Sequence, residues 1–271
     1  MGTAFRAVLL VMAVTASALA AGLRKQGFVP LFNGTDLTGW EGDADLWSVE
    51  DGAITGRTVE GKDLPFNKFL IWRGGTVKNF ELRLKIRQTG NNSGIQYRAR
   101  ERTEVGPFSV SGYQCDVHPN PPFNAQLYEE RGRGIVAKRG EKIVIDEKGD
   151  KWLVGSTGPV VKISNDEWHE FTVIAKGNHL VHKIDGQLAV EVTDHQEAKR
   201  SLEGILAIQL HRGPPMTVQV KDIWLKALPE TALVPVTPIP PTATKVLPPK
   251  RKRKPKPKKH PPRKPEPKKR P

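Results

Sequence analysis

Between Gly22 and Leu228, apolar residues recur at every second position, and no window keeps them at helical spacing for three turns. A strand sends alternate side chains to opposite faces, whereas a helix needs a period near 3.6, so this pattern excludes a helical core. Phe80, Leu82, Leu84 and Ile86 alternate with Glu81, Arg83, Lys85 and Arg87. Phe171, Val173 and Ala175 alternate with Thr172 and Ile174, so that strand is expected to be buried on both faces. Turn signals fall at short intervals: Asp51-Gly52, Gly90-Asn91-Asn92, Lys148-Gly149, Gly177-Asn178 and Asp185-Gly186. Asp-Gly favours a tight hairpin because both residues tolerate positive φ. Many short strands punctuated in this way predict an all-β sandwich or jelly roll of two antiparallel sheets. No tandem repeat is visible.

The two ends have a different composition. Residues 1–21 read as a secretory signal: Arg6 gives a positive start, Ala7–Leu19 a short apolar run, and Ala18-Leu19-Ala20 a cleavage pattern. The run is too short to span a bilayer comfortably, so no transmembrane helix is expected in the mature chain. No cysteine follows it, which argues against a lipid anchor. The expectation is an exported, periplasmic or extracellular protein. From Pro229 to Pro271 there are 14 Lys and Arg against Glu230 and Glu266, a charge of +12 out of +14 for the whole chain. Such a segment cannot bury enough surface to offset its ordering entropy, so 229–271 is expected to be a disordered, partly polyproline tail. Its charge suits contacts with acidic polymers, and a purely solubilising tail is the alternative. Cys115 is the sole cysteine, so the domain 22–228 must be stable by burial without an internal disulfide. Sharing a face with Tyr113 and Val117, Cys115 reads as a small core residue.

Three strands have an unusual polar face. Tyr113, Cys115 and Val117 oppose Gln114, Asp116 and His118. Ile95, Tyr97 and Ala99 oppose Gln96, Arg98 and Arg100. Leu206, Ile208 and Leu210 oppose Ala207, Gln209 and His211. An ordinary solvated face is mixed Lys, Glu and Thr, as on Phe80–Arg87; here Gln, Asp, Arg and His dominate. These groups donate and accept at fixed geometry, as vicinal hydroxyls require. Three such strands, flanked by Trp and Tyr, point to a sugar site. Other motifs carry less. Gly132-Arg133-Gly134 lacks the context of a phosphate loop, and His169, His179, His182 and His195 have no metal-ligand spacing and read as surface or structural.

These residues, with others, resemble the 3-keto-disaccharide hydrolase family. The resemblance covers nearly all of Gly27–Leu228. It runs from Leu31-Phe32-Asn33-Gly34-Thr35-Asp36-Leu37-Thr38-Gly39-Trp40 through Trp47-Ser48-Val49-Glu50-Asp51-Gly52, Asn79-Phe80-Glu81-Leu82 and Asn92-Ser93-Gly94-Ile95. It continues in Gly112-Tyr113-Gln114-Cys115-Asp116, Glu167-Trp168-His169, Ile208-Gln209-Leu210-His211 and Val220–Lys226. The resemblance implies a concanavalin A-like jelly roll acting on glycosides already oxidised at C3. A 3-keto group acidifies the C2 proton; once a base removes it, the enolate expels the group at C1. Such a site needs a base, donors for the enolate oxygen and an acid for the leaving oxygen. The polar faces hold one carboxylate, Asp116, which suits elimination better than the paired carboxylates of ordinary glycosidases. The loop acids Glu129 and Glu130 bear on that count. On this reading His211 is a base or metal ligand and Asp116 its counterpart. Arg98 and Gln209 stabilise the oxyanion and bind hydroxyls, while Tyr128, Gln114, Gln96 and His118 orient the sugar. A divalent metal bridging Asp116 and His211 would hold the enolate, and a metal-free site is the alternative. A non-catalytic carbohydrate-binding module with the same groove is the competing function, since the fold hosts both.

Overall fold

In the computed structural model, which describes residues 19–247, the alternating pattern is realised as eighteen strands. They are β1 (Val29–Pro30), β2 (Trp40–Glu41), β3 (Trp47–Glu50), β4 (Ala53–Thr58), β5 (Lys68–Trp72), β6 (Phe80–Gly90), β7 (Ser93–Glu101), β8 (Val110–Val117) and β9 (Leu127–Glu130). These are followed by β10 (Gly134–Ala137), β11 (Glu141–Ile145), β12 (Lys151–Ser156), β13 (His169–Lys176), β14 (His179–Ile184), β15 (Gln187–Asp194), β16 (Ile205–Leu210), β17 (Met216–Ala227) and β18 (Thr244–Val246). One sheet runs β18-β12-β11-β15-β14-β13-β6-β17-β4-β3, with β1 also on β17; the other runs β10-β9-β8-β7-β16-β5-β2. The sheets form a jelly-roll sandwich. Pairing is antiparallel throughout except between β11 and β15, which run parallel. The signal-peptide reading of 1–21 falls almost wholly outside the described residues.

The Asp-Gly turns behave as their chemistry requires. Asp51 and Gly52 take φ of 49° and 71° between β3 and β4, and Asp185 and Gly186 take 49° and 77° between β14 and β15. Gly90-Asn91-Asn92 joins strands of different sheets instead of closing a hairpin. The main core lies between the sheets. Leu82, Leu84 and Ile86 of β6 and Phe171 and Val173 of β13 face Ile95, Tyr97, Tyr113, Cys115, Ile208 and Leu210. Cys115 is buried there, and burial pushes its thiol up, away from a nucleophilic thiolate.

The parity reading holds for β8 and β16, and for β7 as far as Tyr97. Arg98 then takes a φ of 46°, and the register of β7 slips against both β8 and β16 at this point. This is a β-bulge, which adds one residue and inverts the alternation beyond it. Ala99 therefore joins Phe69, Ile71, Val110 and Ala207 in a small apolar cluster on the outer face, where the sequence places it inside. Gly204 packs against the bulge so closely that an added Cβ would sit 2.4 Å from the Arg98 carbonyl carbon.

The expected tail boundary at Pro229 is also corrected. Residues 229–247 run along the domain. The buried Asn178 accepts the Val234 N–H at 2.7 Å, Asn79 donates to the Pro229 carbonyl at 3.3 Å, and β18 adds an edge strand to β12. Counting charge over 43 residues concealed this. Residues 229–247 carry only Glu230 and Lys245, with Leu233, Val234, Val236 and Ile239 among them, and the whole +12 lies in 250–270. Residues 248–271 lie outside the described residues.

Candidate active site

The outer face of the β8 sheet carries a cleft of about 550 Å³. Its floor comes from the alternation of β8 and β16. With Tyr113 and Cys115 turned to the core, Gln114 and Asp116 must face outward, and Gln209 joins them from β16. Tyr128 lies beside Gln114 across the β8–β9 ladder. Gly94 of β7 pairs with Asp116, and a Cβ there would sit 2.4 Å from the Gln114 carboxamide carbon, so its missing side chain is the space that amide occupies.

Asp116 is held on both oxygens. The Gln114 amide donates to Oδ1 at 2.6 Å and the Gln126 amide to Oδ2 at 2.5 Å. Gln114 is fixed from behind by Gln96, whose Nε2 donates to its Oε1 at 2.8 Å. Burial dominates the carboxyl's acidity: it pushes the pKa up to about 7 against the two amide hydrogen bonds, with the charge of Glu130 adding to the rise. Glu130 also lies in the cleft, accepts from Asn67 at 3.3 Å, and is shifted up by burial.

His211 lines the same cleft. Its Nδ1 lies 2.5 Å from the Arg212 carbonyl oxygen, which can only accept, and 3.1 Å from the Asn91 amide nitrogen, which also donates to that carbonyl; the shorter contact assigns the proton to Nδ1 and leaves Nε2 as the acceptor. Burial holds its pKa below the usual imidazole value, which keeps the ring neutral at neutral pH. His118, also in the cleft, is shifted down chiefly by burial, with the neighbouring His211 disfavouring a second imidazolium; its Nδ1 accepts the Asn120 N–H at 3.0 Å.

The structure thus brings together Asp116, His211, Gln114, Gln209, Tyr128 and His118. Gln96 stands behind Gln114 without lining the cleft. Arg98 is elsewhere, a correction to its expected place at the oxyanion. The bulge turns its guanidinium inward, where it donates to the carbonyls of Lys78 at 2.6 Å, Gly177 at 2.6 Å and Ser201 at 3.2 Å. Glu129 is spent in an ion pair with Arg133 and does not line the cleft, whereas Glu130 does, so the cleft holds two carboxylates. Phe66, Phe123 and Tyr128 supply the aromatic lining in place of the expected Trp. Asn67, Gln126, Arg131 and Arg212 come from loops and strand ends, where no periodicity marks them.

The residues present make a poor site for a divalent cation: among the described residues no three His, Cys, Asp or Glu side chains converge, and each Asp116 oxygen already accepts an amide hydrogen.

Residues 27–226 match the family model described as the 3-keto-alpha-glucoside-1,2-lyase-like domain. Two solved structures from Parabacteroides distasonis, both described as candidate glycosyl hydrolases, share the fold. One is 21% identical with a TM-score of 0.52, covering 77% of this chain and 97% of its own. The other is 16% identical with a TM-score of 0.50, covering 74% and 99%. No curated protein matches the sequence.

Proposed function

The chain belongs to the 3-keto-alpha-glucoside-1,2-lyase-like family, and from that premise we propose that its cleft cleaves glycosides oxidised at C3 through a C2 enolate. The observation that carries the reading is the pairing, in one cleft, of a neutral imidazole with a free acceptor nitrogen and a buried carboxyl whose pKa is pushed up to about 7. At neutral pH the first suits a base, and the second, with its pKa near that pH, suits an acid.

In this mechanism His211 Nε2 removes the proton from C2, and the electron pair moves onto the C3 oxygen as an enolate. Gln209 Nε2, which makes no hydrogen bond among the described residues, donates to that oxygen. The enolate then collapses, the C1–O bond breaks, and the proton on Asp116 passes to the leaving oxygen. The sugar product is a 3-keto-glycal bearing the C2 hydroxyl; addition of water across its double bond gives net hydrolysis. Glu130, also raised by burial, stands ready to deliver that water. Tyr128, Phe123 and His118 offer faces for the sugar ring. In this reading the N-terminal pattern directs export, and the basic segment after Pro248 contacts acidic polymers outside the cytoplasm.

The test is turnover of a panel of 3-keto-glycosides by the full chain, followed by mass spectrometry. His211→Ala is expected to lower turnover by roughly 10²–10⁴-fold, the scale of general acid–base catalysis. Binding of these sugars without turnover by the unsubstituted protein would replace this reading with a carbohydrate-binding one.

A further inference from the structure

Two guanidiniums at the cleft mouth have no part in the chemistry above. Arg131 sits in the β9–β10 turn with a φ of 54°, and Arg212 follows His211; both line the cleft and are exposed. Neither forms an ion pair among the described residues, a state they share with Arg24, Arg87, Arg98, Arg100, Arg139 and Arg200; what sets them apart is that both line the cleft. They occupy one end of the cleft. Arg131 directly follows Glu130, whose carboxylate accepts from Asn67 Nδ2 at 3.3 Å, and Asn67 Oδ1 accepts the Arg212 N–H at 3.0 Å. A single asparagine therefore ties the two arginine-bearing loops together. Glu130 feels the charge of both arginines but forms no ion pair with either, and its carboxylate is engaged by Asn67.

A separate observation concerns the end of the described chain. Val246, the last residue of β18, pairs with Lys151 of β12, and the Lys151 ammonium donates to the carbonyl of Ile135, a residue of the cleft wall. The sequence then continues with 13 Lys and Arg against Glu266. The segment that carries +12 of the chain's net +14 thus follows a strand that pairs with β12.

We propose that the saccharide taken by this cleft is anionic, its carboxylate, sulfate or phosphate substituent held by Arg131 and Arg212. A guanidinium presents a planar fork of donors that matches such oxyanions with two charge-assisted hydrogen bonds, which the hydroxyls of a neutral sugar do not offer. The proposal rests on reading the cleft as a sugar site, but not on the chemistry performed there.

The experiment is calorimetric titration of the full chain with matched oligosaccharides: a neutral one and counterparts carrying a uronate, a sulfate or a phosphate. Turnover of 3-keto-glycosides with matched aglycones is measured in parallel. The unsubstituted protein is expected to bind at least one acidic form about tenfold more tightly than the neutral one, the scale of one or two charge-assisted hydrogen bonds, and the tightest arm identifies the substituent. In the Arg131→Gln/Arg212→Gln protein this ratio is expected to fall to about one, and with Lys at both positions to an intermediate value, because charge remains and the fork is lost. Equal affinities in the unsubstituted protein, a preference that survives the double substitution, or no saccharide binding at all would overturn the proposal. Turnover with equal affinities would leave the proposed chemistry standing alone; an arginine-dependent preference without turnover would remove the chemistry and uphold the anionic ligand.

Discussion

His182 donates its Nδ1–H to the carbonyl of Ala125 at 3.0 Å, reaching from β14 through the core to the loop that carries the next residue, Gln126. Its Nε2 accepts from the Tyr97 hydroxyl at 2.9 Å. A fully buried imidazole thus fixes the backbone from which Gln126 holds Asp116, and so connects the far sheet to the cleft floor. His182→Ala leaves a cavity and two buried polar groups without partners. The expected loss is about 2–5 kcal/mol, measured by denaturant unfolding.

The same histidine makes stability depend on pH. Burial lowers its pKa from 6.5 to about 4, so below 6.5 the unfolded chain takes up a proton that the folded chain refuses. The contribution of this residue is fully present above pH 6.5 and is lost as the pH falls toward 4, by about 3 kcal/mol at most. His182→Gln keeps one donor and one acceptor without titrating, and is expected to flatten the unfolding free energy across that window. An unchanged slope would sink the assignment.

Asp116 acts in the opposite direction. Its pKa rises from 3.8 in the unfolded chain to about 7 in the folded one, so the folded state holds the extra proton between these values. Its contribution is present below pH 3.8 and is lost as the pH climbs to 7. Asp116→Asn removes that penalty. Melting temperatures taken from pH 4 to 8 are expected to show the variant gaining steadily on the unsubstituted protein while turnover stays low. A constant difference would mean that the carboxyl is not held near neutrality.

Arg98 separates a structural role from a catalytic one. Its guanidinium serves three backbone carbonyls, from Lys78, Gly177 and Ser201, at a bulge where the side chain is almost fully buried. Arg98→Met uncovers those acceptors, and a loss of about 3–5 kcal/mol is expected. Turnover per folded molecule at low temperature is expected to stay within a few-fold. A drop of 10²-fold in well-folded protein would return Arg98 to the reaction.

Where alternation was unbroken, the sequence was legible. Gln114, Asp116 and Gln209 were placed on one face because Tyr113, Cys115, Ile208 and Leu210 had to be inside, and the structure agrees. Arg98 was misplaced because a bulge leaves no mark in a hydrophobic pattern: the residue that inverts the count is itself polar and looks like a face residue. Glu130 could be flagged as an acid but not placed, and Asn67 and Gln126 carry no signal, because a loop's path depends on contacts such as His182 with Ala125 that are remote in sequence. The tail boundary failed for a different reason. Net charge averaged over a window cannot show that a neutral, partly apolar stretch precedes the basic one.

That boundary gives the last prediction, which uses two truncations. Ending the chain at Leu247 removes the segment carrying +12 but keeps β18 and the ion pair of Lys245 with Asp150. Ending it at Leu228 also removes the strand and the backbone that satisfies Asn178, whose Oδ1 accepts from Val234 at 2.7 Å. It further exposes β12 as an unpaired sheet edge. The shorter truncation is expected to leave the melting temperature nearly unchanged. The longer one is expected to lower it by several degrees, since about 1–3 kcal/mol for an orphaned buried amide corresponds to roughly 2–4 °C per kcal/mol in a domain of this size. The full chain, with 13 Lys and Arg after Leu247, is expected to show steep salt-dependent retention on a polyanion column, and both truncations are expected to lose it. Equal melting temperatures for the two truncated proteins would show that 229–247 only lies on the surface. Undiminished polyanion retention after removal of 248–271 would place the binding on the folded domain instead.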